Sequence, residues 1–173
     1  MPIIFVPGMG ERKEMEEDSK RARENARMGL ENLVAMVNRL KHAEECNPEL
    51  CKLADKEIKE ALGYIYDGKP VSEEERAMYH DMEKAEEVIH EDPLSVQVRS
   101  DWENPGTNLT PAKYMILLST GGPALRIMGT LDEHREPDNA ILEYQDWGTE
   151  WIEYINSADE ELLTYARQFY FGN

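Results

Sequence analysis

Cysteine is scarce in this chain: Cys46 and Cys51 are the only two. A single pair five residues apart does not make the disulfide framework of a small secreted domain. Long apolar runs are missing as well. No window approaches the roughly 20 apolar residues needed to span a bilayer, and the opening M-P-I-I-F-V-P-G-M-G has no basic leader. These absences lead to an expectation of a reducing cytoplasm. Positive charge is also short, with 19 Lys and Arg against 36 Asp and Glu, a net charge of −17. That balance disfavours direct binding of nucleic acid or anionic membrane and favours a partner with a basic surface. Phosphate-binding fingerprints are absent too. Gly8-Met9-Gly10 lacks a third glycine, Gly121-Gly122 belongs to a turn, and no G-K-S/T follows anywhere.

What is present divides the 173 residues in two. Residues 1–92 carry 23 acids and 14 bases, whereas residues 93–173 carry 13 and 5. Ten of the fourteen aromatics, including all three Trp, lie in the second region. The composition therefore suggests solvated helices over 1–92 and a packed core over 93–173.

In the first region Ile3 to Val6 reads as a short strand or arm. From Glu11 to about Glu45, Ala26, Leu30, Leu33, Val37 and Leu40 recur at helical spacing and give one narrow seam, with the residues before Ala26 exposed. Asn47-Pro48 suits the start of a second helix. Its seam is Leu50, Ala54, Ile58, Ala61, Leu62 and Ile65, closed by Asp67-Gly68. Ser72 and Glu75 form a capping box for a third helix, with Met78, Met82, Ala85 and Ile89 on its face, and Pro93 bars continuation. Seams this thin need a covering surface, and a homodimer through the helices of residues 11–66 is one way to supply it.

Strand periodicity begins at Leu94. Val96, Val98 and Trp102 alternate with Gln97, Arg99 and Asp101. Residues 103–111 form a loop, Tyr114 to Thr120 a continuous apolar strand, and Gly121-Gly122-Pro123 a turn. Leu125, Ile127 and Leu131 alternate again, with Gly129 marking a bulge or a close approach. Ile141 to Trp147 and then Glu150 to Ile155 read as strands. Ser157 and Glu160 form a second capping box, for a final helix bearing Leu162, Leu163, Ala166, Phe169 and Tyr170. The connections are too short for crossover helices. The expected fold is α+β: a helical N-terminal half, then a four- or five-stranded antiparallel sheet covered by a C-terminal helix. Trp102, Leu117, Ile127 and Tyr144 are its expected core residues.

Ala140 to Ile155 is the densest aromatic stretch, and its aromatics are interleaved with acids. Glu143, Asp146, Trp147, Glu150, Trp151 and Glu153 are the candidate partner-binding residues. The acids also have the chemistry of a general acid/base pair or of hard-metal ligands. Alternation divides them between strand faces, however, which favours a solvated rim or an acidic docking patch. His42, Cys46 and Cys51 offer three zinc donors. A fourth would have to come from far away in sequence, such as His80, and the spacing lacks the tight pairs of a zinc motif. Two small residues at a helix junction is the plainer reading, so no metal and no cofactor is assigned. His134 lies in a charged loop with no nucleophile signature nearby.

The motifs S-V-Q-V-R-S-D-W, S-T-G-G-P-A-L-R-I, L-E-Y-Q-D-W-G-T-E-W and Y-A-R-Q-F-Y-F-G, taken in order, resemble a family of small proteins of tailed phages and prophages. The resemblance covers roughly residues 91–172. It implies a phage gene expressed in the cytoplasm of a bacterial host, and it brings no activity or site residues with it.

Charge and resemblance together lead to an expectation of a non-enzymatic interaction protein that binds a host or phage protein. A specific form is an anti-defence inhibitor, anti-CRISPR or antirestriction, that occupies a basic nucleic-acid-binding surface. The alternative is a small hydrolase or metal-dependent enzyme using carboxylates around Trp147.

Overall fold

The computed structural model describes residues 9–172, with side chains from residue 19 onward. The expected arm at Ile3 to Val6 lies outside the described residues. The chain is α+β, as its periodicities require. The described residues form five helices, α1 (Met9–Glu45), α2 (Asp55–Ala61), α3 (Glu73–Tyr79), α4 (Met82–Glu91) and α5 (Asp159–Ala166), with a short 3-10 turn at Pro48–Leu50 between α1 and α2. The strands are β1 (Ser95–Ser100), β2 (Pro111–Ser119), β3 (Ala124–Thr130), β4 (Ile141–Gln145) and β5 (Ile152–Glu153). They form one antiparallel meander in chain order, as short connections between strands dictate.

Helix α1 is not the solvated appendage its charge suggests. Ala22, Ala26, Leu33, Val37 and Leu40 are buried, so the seam starts one turn earlier than expected. It lies across the sheet together with α5. A Cβ on Gly29 would run into the Leu125 side chain on β3, so this glycine lets the helix approach the strand closely. One hydrophobic cluster takes members from both halves of the chain, from Ala22 to Phe171. The seam expected to need a partner is therefore covered by the chain's own sheet.

The inner face of the sheet carries Tyr114, Ile116, Leu125, Ile127, Leu142 and Tyr144, all buried. Ile127 and Tyr144 are thus core residues as expected, but Leu117 and Trp102 are not. Leu117 points to the opposite face from Ile116 and is only partly buried. The run Y-M-I-L-L is apolar on both sides, so it contains no information on which side faces inward. Trp102 is fully exposed, at 102% of its reference area. Strand β1 stops at Ser100 after a register shift at Arg99/Ser100, which leaves Trp102 in the following loop. Gly129 fulfils the expectation of a close approach. A Cβ there would strike the Tyr114 ring and the Asn139 carbonyl, and the Tyr114 hydroxyl donates to that same carbonyl at 2.7 Å.

The remaining helices depart from the expected seams. The second helix is a 3-10 turn plus the seven residues of α2. Leu50 and Ile65, its expected end points, are 74% and 93% exposed. Asn47 does cap as predicted, accepting from Glu49 N at 2.9 Å. The third helix is two, because the Asp81 carboxylate caps a new N-terminus by accepting from Lys84 N. The Ser72/Glu75 capping box is present in both directions. The Ser157 box is not: α5 starts after Ala158, and Asn156 Oδ1 accepts from Ala158 N instead. At the C-terminus Phe171 is buried with its ring 4.8 Å from that of Tyr114, so the aromatic tail docks on the sheet.

Candidate functional site

Among the described residues, the helices cover the inner face of the sheet. The outer face presents Met115 and Leu117 from β2, Arg126 and Met128 from β3, and Glu143 from β4. None of these is fully buried, and no helix among the described residues packs over them. A shallow cavity of about 180 Å³ on this face is lined by Gln97, Arg99, Lys113, Met115, Arg126 and Met128, together with Val98 and Tyr114. It contains no carboxylate.

The six residues singled out from the sequence all lie at the β4–β5 corner of the sheet, but they do different things. Glu143 and Glu153 are cross-strand neighbours. Glu143 accepts from Arg126 Nε at 2.7 Å, and the Arg126 guanidinium sits 4.0 Å from the centre of the Trp151 ring. Glu143, Arg126 and Trp151 thus form one locked unit, a charge-assisted hydrogen bond stacked on an aromatic face. Sequence reasoning missed Arg126, which is 17 residues from Glu143 and becomes its neighbour only through the β3–β4 register. A cross-strand register argument was the signal that could have found it.

Asp146 belongs to the turn. Its carbonyl accepts from Thr149 N at 3.1 Å and its own N–H donates to Thr149 Oγ1 at 3.2 Å. That turn lifts Trp147 outward, 80% exposed, with its inner edge resting on Gly122. Glu150 and Glu153 are exposed and make no ion pair among the described residues. The β4–β5 turn and β5 therefore carry an exposed indole and two carboxylates without an ion pair among the described residues. Two of the acids are engaged locally: Glu143 is paired with Arg126, and the Asp146 carboxylate accepts from the Trp147 N–H at 2.8 Å within the turn.

A second charged surface lies on the helices. Residues 73–92 carry nine acids and two Lys or Arg. Both cations are paired, Arg76 with Asp55 at 3.1 Å and Lys84 with Glu87 at 2.5 Å, so the surface stays strongly acidic.

His134 is exposed in its loop beside Glu133. It lines a cavity of about 460 Å³ together with Arg135, Glu136, Arg167 and the C-terminal aromatics, with no Ser, Thr or Cys among the lining residues. His42, Cys46 and Cys51 do come together, and His80 joins them. One donor atom from each lies within 4.8 Å of the others. Burial and the nearby His80 ring hold the His42 imidazole below its ordinary pKa, and burial and Cys51 push the Cys46 thiol up. The sequence offered these four residues, His80 as the distant fourth, but gave no reason for them to meet; their convergence depends on how α3 ends.

No protein family, no curated protein and no solved structure matches this chain. No helix among the described residues is long and apolar enough to cross a membrane.

Proposed function

We propose that this chain is an acidic, phage-type interaction protein without an enzymatic activity of its own, working in a bacterial host cytoplasm, and that it docks a protein partner on the β4–β5 corner and the adjoining outer face of its sheet. The observation that carries this reading is Trp147. A large indole held 80% exposed by a hydrogen-bonded turn loses nothing in folding and has much to gain in an interface. Met115, Leu117 and Met128 extend the apolar surface inward, and methionine adapts readily to a partner's shape. The anti-defence form of the proposal, a mimic that occupies a basic groove, draws its support from the helical surface of residues 73–92, whose acids would steer a basic partner into place.

The test is capture from infected host cells with tagged full-length protein, followed by kinetics with the captured partner. Trp147→Ala should weaken binding mainly through a faster dissociation rate. Glu150→Gln with Glu153→Gln should slow association and flatten its salt dependence, because charge steering acts on the encounter. Glu143 must be left intact in this variant, since removing it would strand Arg126. Binding indifferent to Trp147 and to salt would sink the proposal. Turnover of a carboxyl or phosphoryl ester that depends on Glu150 and Glu153 would support the hydrolase alternative instead.

A further inference from the structure

We propose that His42, Cys46, Cys51 and His80 form a four-coordinate structural zinc site that pins the end of α1 to the end of α3. The four residues come from three places in the chain. His42 lies in the last turn of α1, and Cys46 is one turn later, its N–H bonded to the His42 carbonyl at 2.9 Å. Cys51 ends the 3-10 turn, and His80 ends α3. Nothing in local sequence requires His80 to meet the other three, yet all four donor atoms fall within 4.8 Å of one another.

The donor geometry fits the ion. Zinc about 2.3 Å from sulfur and about 2.0 Å from nitrogen sets tetrahedral donors roughly 3.3–3.8 Å apart. His42 Nε2 and Cys51 Sγ are already 3.3 Å apart. The wider separations close by side-chain rotation of the two cysteines, both of which are only half-buried.

His80 provides an independent sign. Its side chain is buried, 9% exposed. Its Nδ1 lies 2.8 Å from the Arg76 carbonyl, which can only accept, so Nδ1 carries the proton. The Nε2 lone pair is then left in a buried position with no hydrogen-bond partner. Burying an acceptor without a partner costs stability. A metal ion removes that cost, and a ligating histidine whose other nitrogen donates to a backbone carbonyl is the usual arrangement around zinc.

The donor set chooses the metal and its role. Two thiolates with two imidazoles suit zinc and disfavour calcium or magnesium, which take oxygen ligands. Four protein ligands leave no open position for water or substrate, so the site holds structure and performs no hydrolysis. The surrounding segment also has need of it. Between Cys46 and His80 the buried apolar side chains are Ile58 and Tyr79, and neither belongs to the main hydrophobic cluster. Binding of the ion deprotonates the thiols, and the protons leave to solvent.

The experiment uses full-length protein purified under reducing conditions without chelator. Elemental analysis should find one zinc per chain. Replacing it by Co(II) should give the strong visible bands of tetrahedral cobalt together with a thiolate charge-transfer band. Cys51→Ser and His80→Gln should each weaken zinc binding by more than the roughly 10–100-fold that loss of an outer-shell partner costs, while His134→Gln should leave it unchanged. The wild-type cobalt spectrum needs no variant to fold and stands as a test by itself. Absence of zinc together with absence of a tetrahedral cobalt spectrum overturns the proposal. So does a cobalt spectrum lacking thiolate bands and unaffected by Cys51→Ser, and so does a Cys46–Cys51 disulfide that binds no zinc after reduction.

Discussion

Two regions of this molecule solve the same problem by different means. The sheet with α1 and α5 is held by apolar burial. Leu33, Val37, Ile116, Ile127 and Leu162 are all completely buried. Residues 46–81 are held by polar devices. Asn47 caps the 3-10 turn and Ser72 caps α3, Arg76 pairs with Asp55, and the buried Lys59 lies 3.5 Å from Asp67. Arg39 reaches in from α1 to the Met78 carbonyl at 3.0 Å. Solvent-exposed ion pairs each contribute little, about 0–1 kcal/mol, and a buried cation such as Lys59 must first offset its own desolvation. A segment with two buried apolar side chains and a handful of such contacts has the profile of one that needs a staple, whereas the sheet does not.

The comparison can be broken most sharply from the sheet side. Ile127→Ala should destabilise the whole protein by about 2–5 kcal/mol, read from denaturant unfolding, because it opens a cavity in a fully buried position. Gly129→Ala should also act globally, by about 1–3 kcal/mol, since the added methyl meets the Tyr114 ring and a backbone carbonyl. A global loss no larger than that of a surface substitution would remove the distinction between the regions.

Chelating the proposed zinc should act locally. Hydrogen exchange should speed up over residues 46–81 while β2, β3 and β4 stay protected, because the staple and the core are separate clusters. Equal loss of protection in the sheet would show that the regions unfold as one.

Ser72→Ala is a smaller probe of the same segment, costing about 1 kcal/mol through the lost cap. The Ser72 backbone and side chain hold the Glu75 carboxyl below its ordinary pKa. A depressed carboxylate stabilises the fold above its ordinary pKa, and that contribution is lost as pH falls through the lowered value. The backbone N–H of residue 72 is the larger cause and alanine keeps it, so the Glu75 titration followed by NMR should move up only part of the way in Ser72→Ala; an unmoved titration would show that the Ser72 hydroxyl contributes nothing to it. The smallest stability effect should be that of Trp147→Ala, within about 0.5 kcal/mol. A larger loss would mean that the indole supports the turn rather than awaiting a partner.

Deleting residues 1–66 to remove a helical dimer contact would strip α1 from the sheet, leaving Leu125 and Ile127 uncovered. Unfolding, not oligomeric state, would be measured.

Periodicity and turn chemistry alone determined the α+β class, the meander, the Asn47 and Ser72 caps and the aromatic corner at residues 140–155. These are local properties, written in the spacing of neighbours. Tertiary structure decided the rest. Leu117 faces outward because a run apolar on both sides is oriented only by what covers it. Trp102 is exposed because a register shift ended its strand early. The seam of α1 is satisfied by strands about a hundred residues away. Arg126 neutralises Glu143 through strand register, and His80 joins His42, Cys46 and Cys51 because Asp81 stops α3 where it does. Each of these depends on contacts between segments distant in the chain, and such contacts leave no period in the sequence between them.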